Sequence, residues 1–263
     1  MHALITNDDG VDSRGLRVLV QAALFHGLEV TVVAPDGERS GSSASLSALE
    51  SDGRLLVTER ALDDVAAAAG LDHLADAVAL AADASPALIV FVGVRGAFGP
   101  APDVVLSGIN HGPNAGQAVL HSGTVGAGLT AVTHGLPAMA ISCVATEPSH
   151  WESSAMVAGR AISWLVAYEG PPFLLNVNVP DLPPERLLGL RPASLATFGA
   201  VQARIGERGR GYVTTTFSEV SEDAGPCSDV ELLRQGWATV TALAAPTASG
   251  AVDLAGLAGD ADA

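Results

Sequence analysis

Two adjacent carboxylates, Asp8 and Asp9, follow a short apolar run, Ala3-Leu4-Ile5-Thr6, and are closed off by Gly10. If that run is the first strand of an open α/β sheet, the pair stands at the strand's carboxyl end, where such sheets bind ligands. Side by side, two carboxylates repel unless a positive charge lies between them, and a divalent cation is the usual answer. Asn7-Asp8-Asp9-Gly10 is also good turn chemistry, because Asn, Asp and Gly tolerate the backbone angles of turns. Further oxygen donors follow later apolar runs: Ser40 in Arg39-Ser40-Gly41, and Asn110 at the end of Ser107-Gly108-Ile109-Asn110. Carboxylate, hydroxyl and amide oxygens suit Mg²⁺, Mn²⁺ or Ca²⁺, whereas zinc or copper would call for His or Cys. If the loops meet, Asp8, Asp9, Ser40 and Asn110 hold an ion with positions left for water, an arrangement fit for metal-assisted hydrolysis.

A second feature lies close in sequence. Ser122-Gly123-Thr124 opens a predicted helix after a glycine-rich approach, Gly112-Pro113-Asn114-Ala115-Gly116. Free N–H groups at a helix N-terminus, two hydroxyls and the helix dipole make a site for phosphate. Ordinary capping by Ser or Thr is the commoner role of such residues. A cation site and an anion site in one cleft together point to a phosphate ester. His111 and His121 flank the motifs as candidates for a general acid, although a histidine beside a loop is more often merely exposed.

The scaffold that must position these groups reads as alternating β and α. Residues 2–6 form a strand, Leu16, Leu19, Val20, Ala23 and Leu24 recur at helical spacing, and Leu28–Ala34 forms a second strand. This β-α-β order is a right-handed crossover unit of a parallel sheet. Pro35–Ser47 is a polar loop, 60–84 an Ala-rich helix or variable insertion, and 87–92 either a strand or a helix. The helix alternative rests on Ser85-Pro86, a cap followed by a first-turn proline. Val104–Leu106, Pro137–Cys143 and Phe173–Val179 supply strands, with helices over His121–His134 and Ala155–Tyr168. Beyond Pro180 the texture changes to Pro, Gly and Arg, then to short strands at Tyr212–Phe217 and Trp237–Leu243, and a tail from Ala244 that frays. The expected organisation is a three-layer, mostly parallel α/β core over 1–180 with a C-terminal β arm over 181–263.

Composition narrows the chemistry. The 263 residues carry a formal net charge of −16, which argues against nucleic-acid polymers and anionic membranes as partners. All 13 basic residues are arginine. The missing lysine excludes a P-loop, a Schiff base and a phosphate-accepting receiver site. Cys143 and Cys227 are too far apart for a disulfide framework or zinc site, and no basic, apolar leader or membrane-spanning run stands out, so a cytoplasmic protein is expected. A dinucleotide-binding enzyme is disfavoured because the first turn is Asn-Asp-Asp-Gly, whose carboxylates would repel a pyrophosphate.

Asn7-Asp8-Asp9-Gly10-Val11, Arg39-Ser40-Gly41, Ser107-Gly108-Ile109-Asn110 with Gly112-Pro113-Asn114, and Ser122-Gly123-Thr124-Val125 occur in order. Together they resemble the SurE (survival protein E) family of metal-dependent nucleotidases and phosphatases. Leu175–Pro180, Asp223-Ala224-Gly225-Pro226 and Asp229 extend the likeness into the C-terminal half. The resemblance implies a Rossmann-like core, an arm exchanged within dimers or tetramers, and divalent-metal hydrolysis of nucleoside monophosphates, in some members of polyphosphate. It implies Asp8, Asp9, Ser40 and Asn110 as metal ligands, with Asn114, Ser122, Gly123 and Thr124 lining the phosphate pocket. The chain departs from the family's Gly-Thr-Pro-x-Asp-Cys at Ala84-Ser85-Pro86-Ala87-Leu88-Ile89, and Gln117-Ala118 replaces an acidic pair. Two alternatives therefore stand beside a nucleotidase: a phosphatase for a non-nucleotide metabolite, and a metal- and nucleotide-binding protein without turnover.

Overall fold

The structure, a computed structural model, describes residues 1–48, 50–51, 54–61, 78–197, 201–209, 212–219 and 225–248. In chain order its strands are β1 (His2–Thr6), β2 (Glu29–Pro35), β3 (Glu50–Ser51), β4 (Arg54–Leu55), β5 (Val57–Ala61), β6 (Val78–Ala82) and β7 (Val104–His111). These are followed by β8 (Ala138–Val144), β9 (Leu174–Pro180), β10 (Leu190–Pro192), β11 (Val201–Gly209), β12 (Tyr212–Glu219) and β13 (Ala238–Leu243). The described helices are α1 (Arg14–Phe25), α2 (Pro86–Gly93), α3 (Gly123–Thr133), α4 (Trp151–Val166) and α5 (Asp229–Arg234).

A nine-stranded sheet runs β10-β13-β9-β8-β7-β1-β2-β6-β5. From β9 to β6 every neighbouring pair is parallel, while β5 and β13 attach antiparallel to β6 and β9. The chain first builds outward from β1 through β2 to β6 and later on its other side from β7, so the order reverses between β1 and β7. That reversal opens a crevice at the carboxyl ends of the strands. Residues alternate across the sheet: Ala3 and Ile5 pack with Leu16, Leu19 and Ile162 of α1 and α4, whereas Leu4 packs with Ile89 and Val125 of α2 and α3. Each fully buried Leu, Ile or Val contributes about 1.5–3 kcal/mol by leaving water. The two layers of helices thus clamp the sheet and hold its loop edge in place.

Several elements differ from expectation for identifiable reasons. Residues 86–93 are helical, because Ser85 accepts the Leu88 N–H and Pro86 takes the first turn. The helix expected over His121–His134 starts at Gly123 behind the Ser122 cap, and His121 instead closes a preceding 3₁₀ turn, Gly116–His121. Helix α4 begins at Trp151 rather than Ala155, since the side chain of Asp181 accepts the Ser149 and His150 N–H groups. A cap supplied from a distant loop leaves no local sequence signal. The flanks of the 60–84 stretch are strands β5 and β6, and 62–77 lies outside the described residues, as does the tail from 249. Hairpin β11–β12 forms a sheet of its own, but β10 and β13 rejoin the main sheet beside β9.

Candidate active site

Strand β1 delivers Asn7-Asp8-Asp9-Gly10 to the crevice. The Asn7 side-chain nitrogen donates to the Gly10 carbonyl at 3.0 Å and to Ser13 Oγ at 2.6 Å. Ser13 in turn caps α1 by accepting the Leu16 N–H, so one amide fixes both the turn and the helix start. Gly10 has φ +101°, and a Cβ there would press to 3.3 Å from the Gly37 backbone. Turn geometry is therefore part of the role of this motif, alongside any ligand.

The loops converge on the carboxylate pair. Arg39 N donates to the Asp8 carbonyl at 2.7 Å, tying the loop after β2 to the loop after β1. The His111 N–H donates to the Asp9 carboxylate, which ties in β7. From the other face Thr124 Oγ1 donates to Asp8 Oδ1, and the N–H groups of Gly123 and Thr124 also face that carboxylate. Gly123 is required by this approach: a Cβ would lie 2.5 Å from Ser42 Oγ and 2.8 Å from Asp8 Oδ2.

Burial dominates the electrostatics. Asp8 is 3% exposed, and desolvation pushes its proton affinity up despite the Thr124 and backbone hydrogen bonds. Asp9 is pushed up to about 7, first by burial, then by the charges of Asp8 and Glu38. Its Oδ2 is buried with no hydrogen-bond partner. An orphaned carboxylate oxygen beside a second buried carboxylate is what a hard cation would satisfy. Among the described residues no group of three or more His, Cys, Asp or Glu gathers as an ion site, so further donors must be hydroxyl, amide or water.

Asp9, Ser40 and His111 line one polar cleft of about 500 Å³ together with Asp12, Ser13, Glu38 and Thr146. Ser40 Oγ donates to Glu38 Oε1 at 2.8 Å, which directs its proton away and leaves its lone pairs for a cation. The Asn110 amide nitrogen donates to the Gly112 carbonyl at 2.7 Å, so its carbonyl oxygen is the donor left over. The phosphate-pocket candidates have structural partners of their own. Ser122 Oγ accepts the Val125 N–H as a helix cap, and the start of α3 faces the carboxylate of Asp8. Asn114 donates to Ser142 Oγ at 2.9 Å, and Asn176 and Asn178 donate to its carbonyl at 2.8 and 3.0 Å. That clamp fixes the Gly112–Gly116 turn, and the buried Asp229 adds to it by accepting the Gly116 N–H at 2.8 Å. His121 is exposed and apart from the cleft lining, while His111 is half-buried against Trp151, its proton affinity lowered by burial. Sequence reasoning missed Asp12, Glu38 and the Asn176–Asn178 clamp; only the Asn-Val-Asn spacing on one strand face hinted at the last.

Comparison with known proteins bears on this arrangement. The family profile described as Survival protein SurE matches residues 3–201. The chain belongs to the SurE family. A protein of Methylococcus capsulatus named 5'-nucleotidase SurE is 37% identical over 247 residues, covering 92% of this chain and 91% of that one. One of Serratia proteamaculans, named 5'/3'-nucleotidase SurE, is 36% identical over 250 residues, covering 92% and 90%. The crystal structure of the SurE protein from Aquifex aeolicus superposes with a TM-score of 0.73 at 29% identity, covering 95% of each chain. Against the SurE pattern, the altered Ala84–Ile89 segment has a packing role here. Ser85 caps α2, and Ala87 and Ile89 are fully buried beneath the sheet.

Proposed function

We propose that the chain is a divalent-metal-dependent phosphomonoesterase acting on nucleoside monophosphates or a related phosphorylated metabolite. Membership of the SurE family and relatives named as nucleotidases support the reaction class. The observation that carries the site assignment is the orphaned, buried Asp9 Oδ2 beside Asp8, at the wall of a cleft of about 500 Å³.

Asp8, Asp9, Ser40 and Asn110 would hold the cation, for which the oxygen-only donor set favours Mg²⁺ or Mn²⁺, with Ca²⁺ also compatible. A bound cation supplies positive charge against the phosphoryl oxygens and acidifies water. Thr124 and Gly123 hold Asp8, Ser122 caps the helix that presents them, the three would frame the phosphate side of the cleft, and the Asn114 clamp keeps the Gly112–Gly116 turn in register. Once its charge is compensated, Asp9 is free to accept a proton from an attacking water. His111, which lines the cleft, would be the candidate to donate to the leaving alcohol. These groups act by positioning and charge stabilisation, as phosphoryl transfer requires.

For assembly we infer a homodimer or homotetramer. Half-exposed Trp164 and its neighbours Tyr168, Phe173, Leu175 and Val240 line an apolar groove of about 520 Å³ suited to a second copy. Among the described residues no helix is long and apolar enough to cross a membrane. Two free cysteines, one of them exposed, fit a reducing cytoplasm.

The test is phosphate release from nucleoside monophosphates, sugar phosphates and other phosphorylated metabolites, with Mn²⁺ or Mg²⁺ and with chelator. Metal-dependent release abolished by Asp9→Asn, with the fold intact, is expected. Unchanged turnover in that variant refutes the site. Binding of Mn²⁺ and nucleotide with no release would favour the binding-protein alternative.

A further inference from the structure

One buried carboxylate stands outside the cation site and takes no part in the proposed chemistry. Asp229, at the start of α5, is fully buried, and backbone N–H groups from three separate stretches of chain converge on it. Its Oδ2 accepts the Gly116 N–H at 2.8 Å, while Oδ1 accepts those of Ala196 at 2.9 Å and Val230 at 2.8 Å. Donors arriving from two sides need two acceptor oxygens, which a carboxylate has and an amide lacks. The Ala196 side is itself anchored. Asp229 N donates to the Ser194 carbonyl at 2.8 Å, and Ala193 N donates to the Val240 carbonyl at 2.9 Å. Helix α5, strand β13 and residues 193–196 thus form a frame on which the Gly116 N–H is hung. Gln117 adds a second, longer tie to it, from Nε2 to the Ala196 carbonyl at 3.5 Å.

Gly116 lies between two residues that reach the cation site by different routes. Before it, Asn110 is oriented by the Gly112 carbonyl at 2.7 Å, and Gly112 N donates to the Cys143 carbonyl at 2.9 Å. After it, the 3₁₀ turn Gly116–His121 runs into the Ser122 cap and then Thr124, which donates to Asp8. Gly112 and Gly116 have φ of +107° and +55°. Glycines in that region give a turn extra conformational freedom, which contacts must restrain. The Asn114 clamp holds the middle of the turn; only Asp229 takes the N–H at its exit. We propose that Asp229 is a positioning residue for the cation site: by holding Gly116 it keeps the Asn110 amide and Thr124 in register with Asp8, and makes the C-terminal frame part of the site's support. The proposal rests on the assignment of Asp8, Asp9, Ser40 and Asn110 as cation ligands.

The test uses the full chain, metal-free and with Mn²⁺. In Asp229→Asn the arrangement that loses fewest bonds keeps the oxygen toward Ala196 and Val230 and turns the NH2 group against the Gly116 N–H. Amide hydrogen exchange over residues 110–117 of the metal-free variant should then quicken at least about tenfold, with β8 and β9 unchanged. The Mn²⁺ Kd measured by calorimetry should rise about tenfold. Ser228→Ala is the control for lost stability alone. It removes the α5 cap, the bond from Glu231 N to Ser228 Oγ at 3.2 Å, and leaves Asp229 in place. Its Tm should fall while its Mn²⁺ Kd stays at the wild-type value. Asp229→Asn that behaves in the same way, with a lower Tm and an unmoved Kd, overturns the proposal, and so does unchanged exchange over 110–117. Where Asp229→Asn does not fold, the smaller Asp229→Ser is read with the same two expectations. Absence of Mn²⁺ binding by wild type, or wild-type affinity in Asp9→Asn, overturns the cation assignment and the proposal with it. That outcome is distinct from an effect missing at Asp229 alone.

Discussion

A carboxylate taken out of water must be protonated, paired or bound to a cation, and the two aspartates after β1 share that constraint. Thr124 supplies part of the compensation by donating to Asp8 Oδ1 from a fully buried position. Thr124→Val keeps the volume and removes the donor, so Mn²⁺ affinity measured by calorimetry should fall about 10–100-fold, with Thr124→Ser recovering most of it. Unchanged affinity in Thr124→Val would show that Asp8 needs no such support. Asp9, at about 7 against an ordinary 3.8, carries a pH signature. Between about pH 4 and pH 7 the unfolded chain releases this proton while the folded chain keeps it. Chelator-treated protein should therefore lose stability as pH rises through that window, with no further loss from this group above it. The Tm of wild type should fall relative to Asp9→Asn across the window, and Mn²⁺ should restore it at the upper end; parallel profiles would refute the shift. At this scale the paired carboxylates were legible in the sequence because adjacent charge at a strand end is rare and costly. The orientation of Thr124 toward Asp8 was not, because a hydroxyl that caps and a hydroxyl that donates to a distant carboxylate look alike in one dimension.

Helix α3 and the polar loop after β2 pack so closely that a small change in volume is felt there. Gly126 lies directly beneath that loop, and a Cβ there would overlap the Ser43 carbonyl and the Ala44 nitrogen. These are backbone atoms, so the loop itself must move. Gly126→Ala should displace Ser40 and Ser42 from the cleft and cost about 1–3 kcal/mol. That corresponds to a Tm lowered by roughly 2–12 °C, read by calorimetry or circular dichroism. A Tm and activity equal to wild type would mean that the loop is not held against α3. The central strands were readable from β-branched runs, since a parallel sheet buried on both faces leaves continuous apolar stretches. An element whose end depends on a remote partner was misplaced: α4, capped by Asp181 across the chain, whereas β13, expected at Trp237–Leu243, is observed at Ala238–Leu243 although its partner β9 lies some sixty residues earlier.

For the whole molecule, a net charge of −16 keeps copies apart, so assembly must rely on apolar contact. Trp164 is 52% exposed and stacks on Tyr168, with ring centroids 5.4 Å apart. If the proposed oligomer forms through this groove, Trp164→Glu should convert it to monomer in light scattering after gel filtration, while leaving the sheet intact by circular dichroism; an unaltered mass would place the interface elsewhere. The sequence alone could not locate this surface, because exposed and buried tryptophans have the same letter. The account as a whole depends on the sheet's reversal between β1 and β7 bringing three loops to one cation. Anomalous diffraction from crystals grown with Mn²⁺ tests that most directly. A single strong peak about 2.0–2.6 Å from oxygens of Asp8, Asp9, Ser40 and Asn110 is predicted. A peak elsewhere, or none at saturating Mn²⁺, would contradict it.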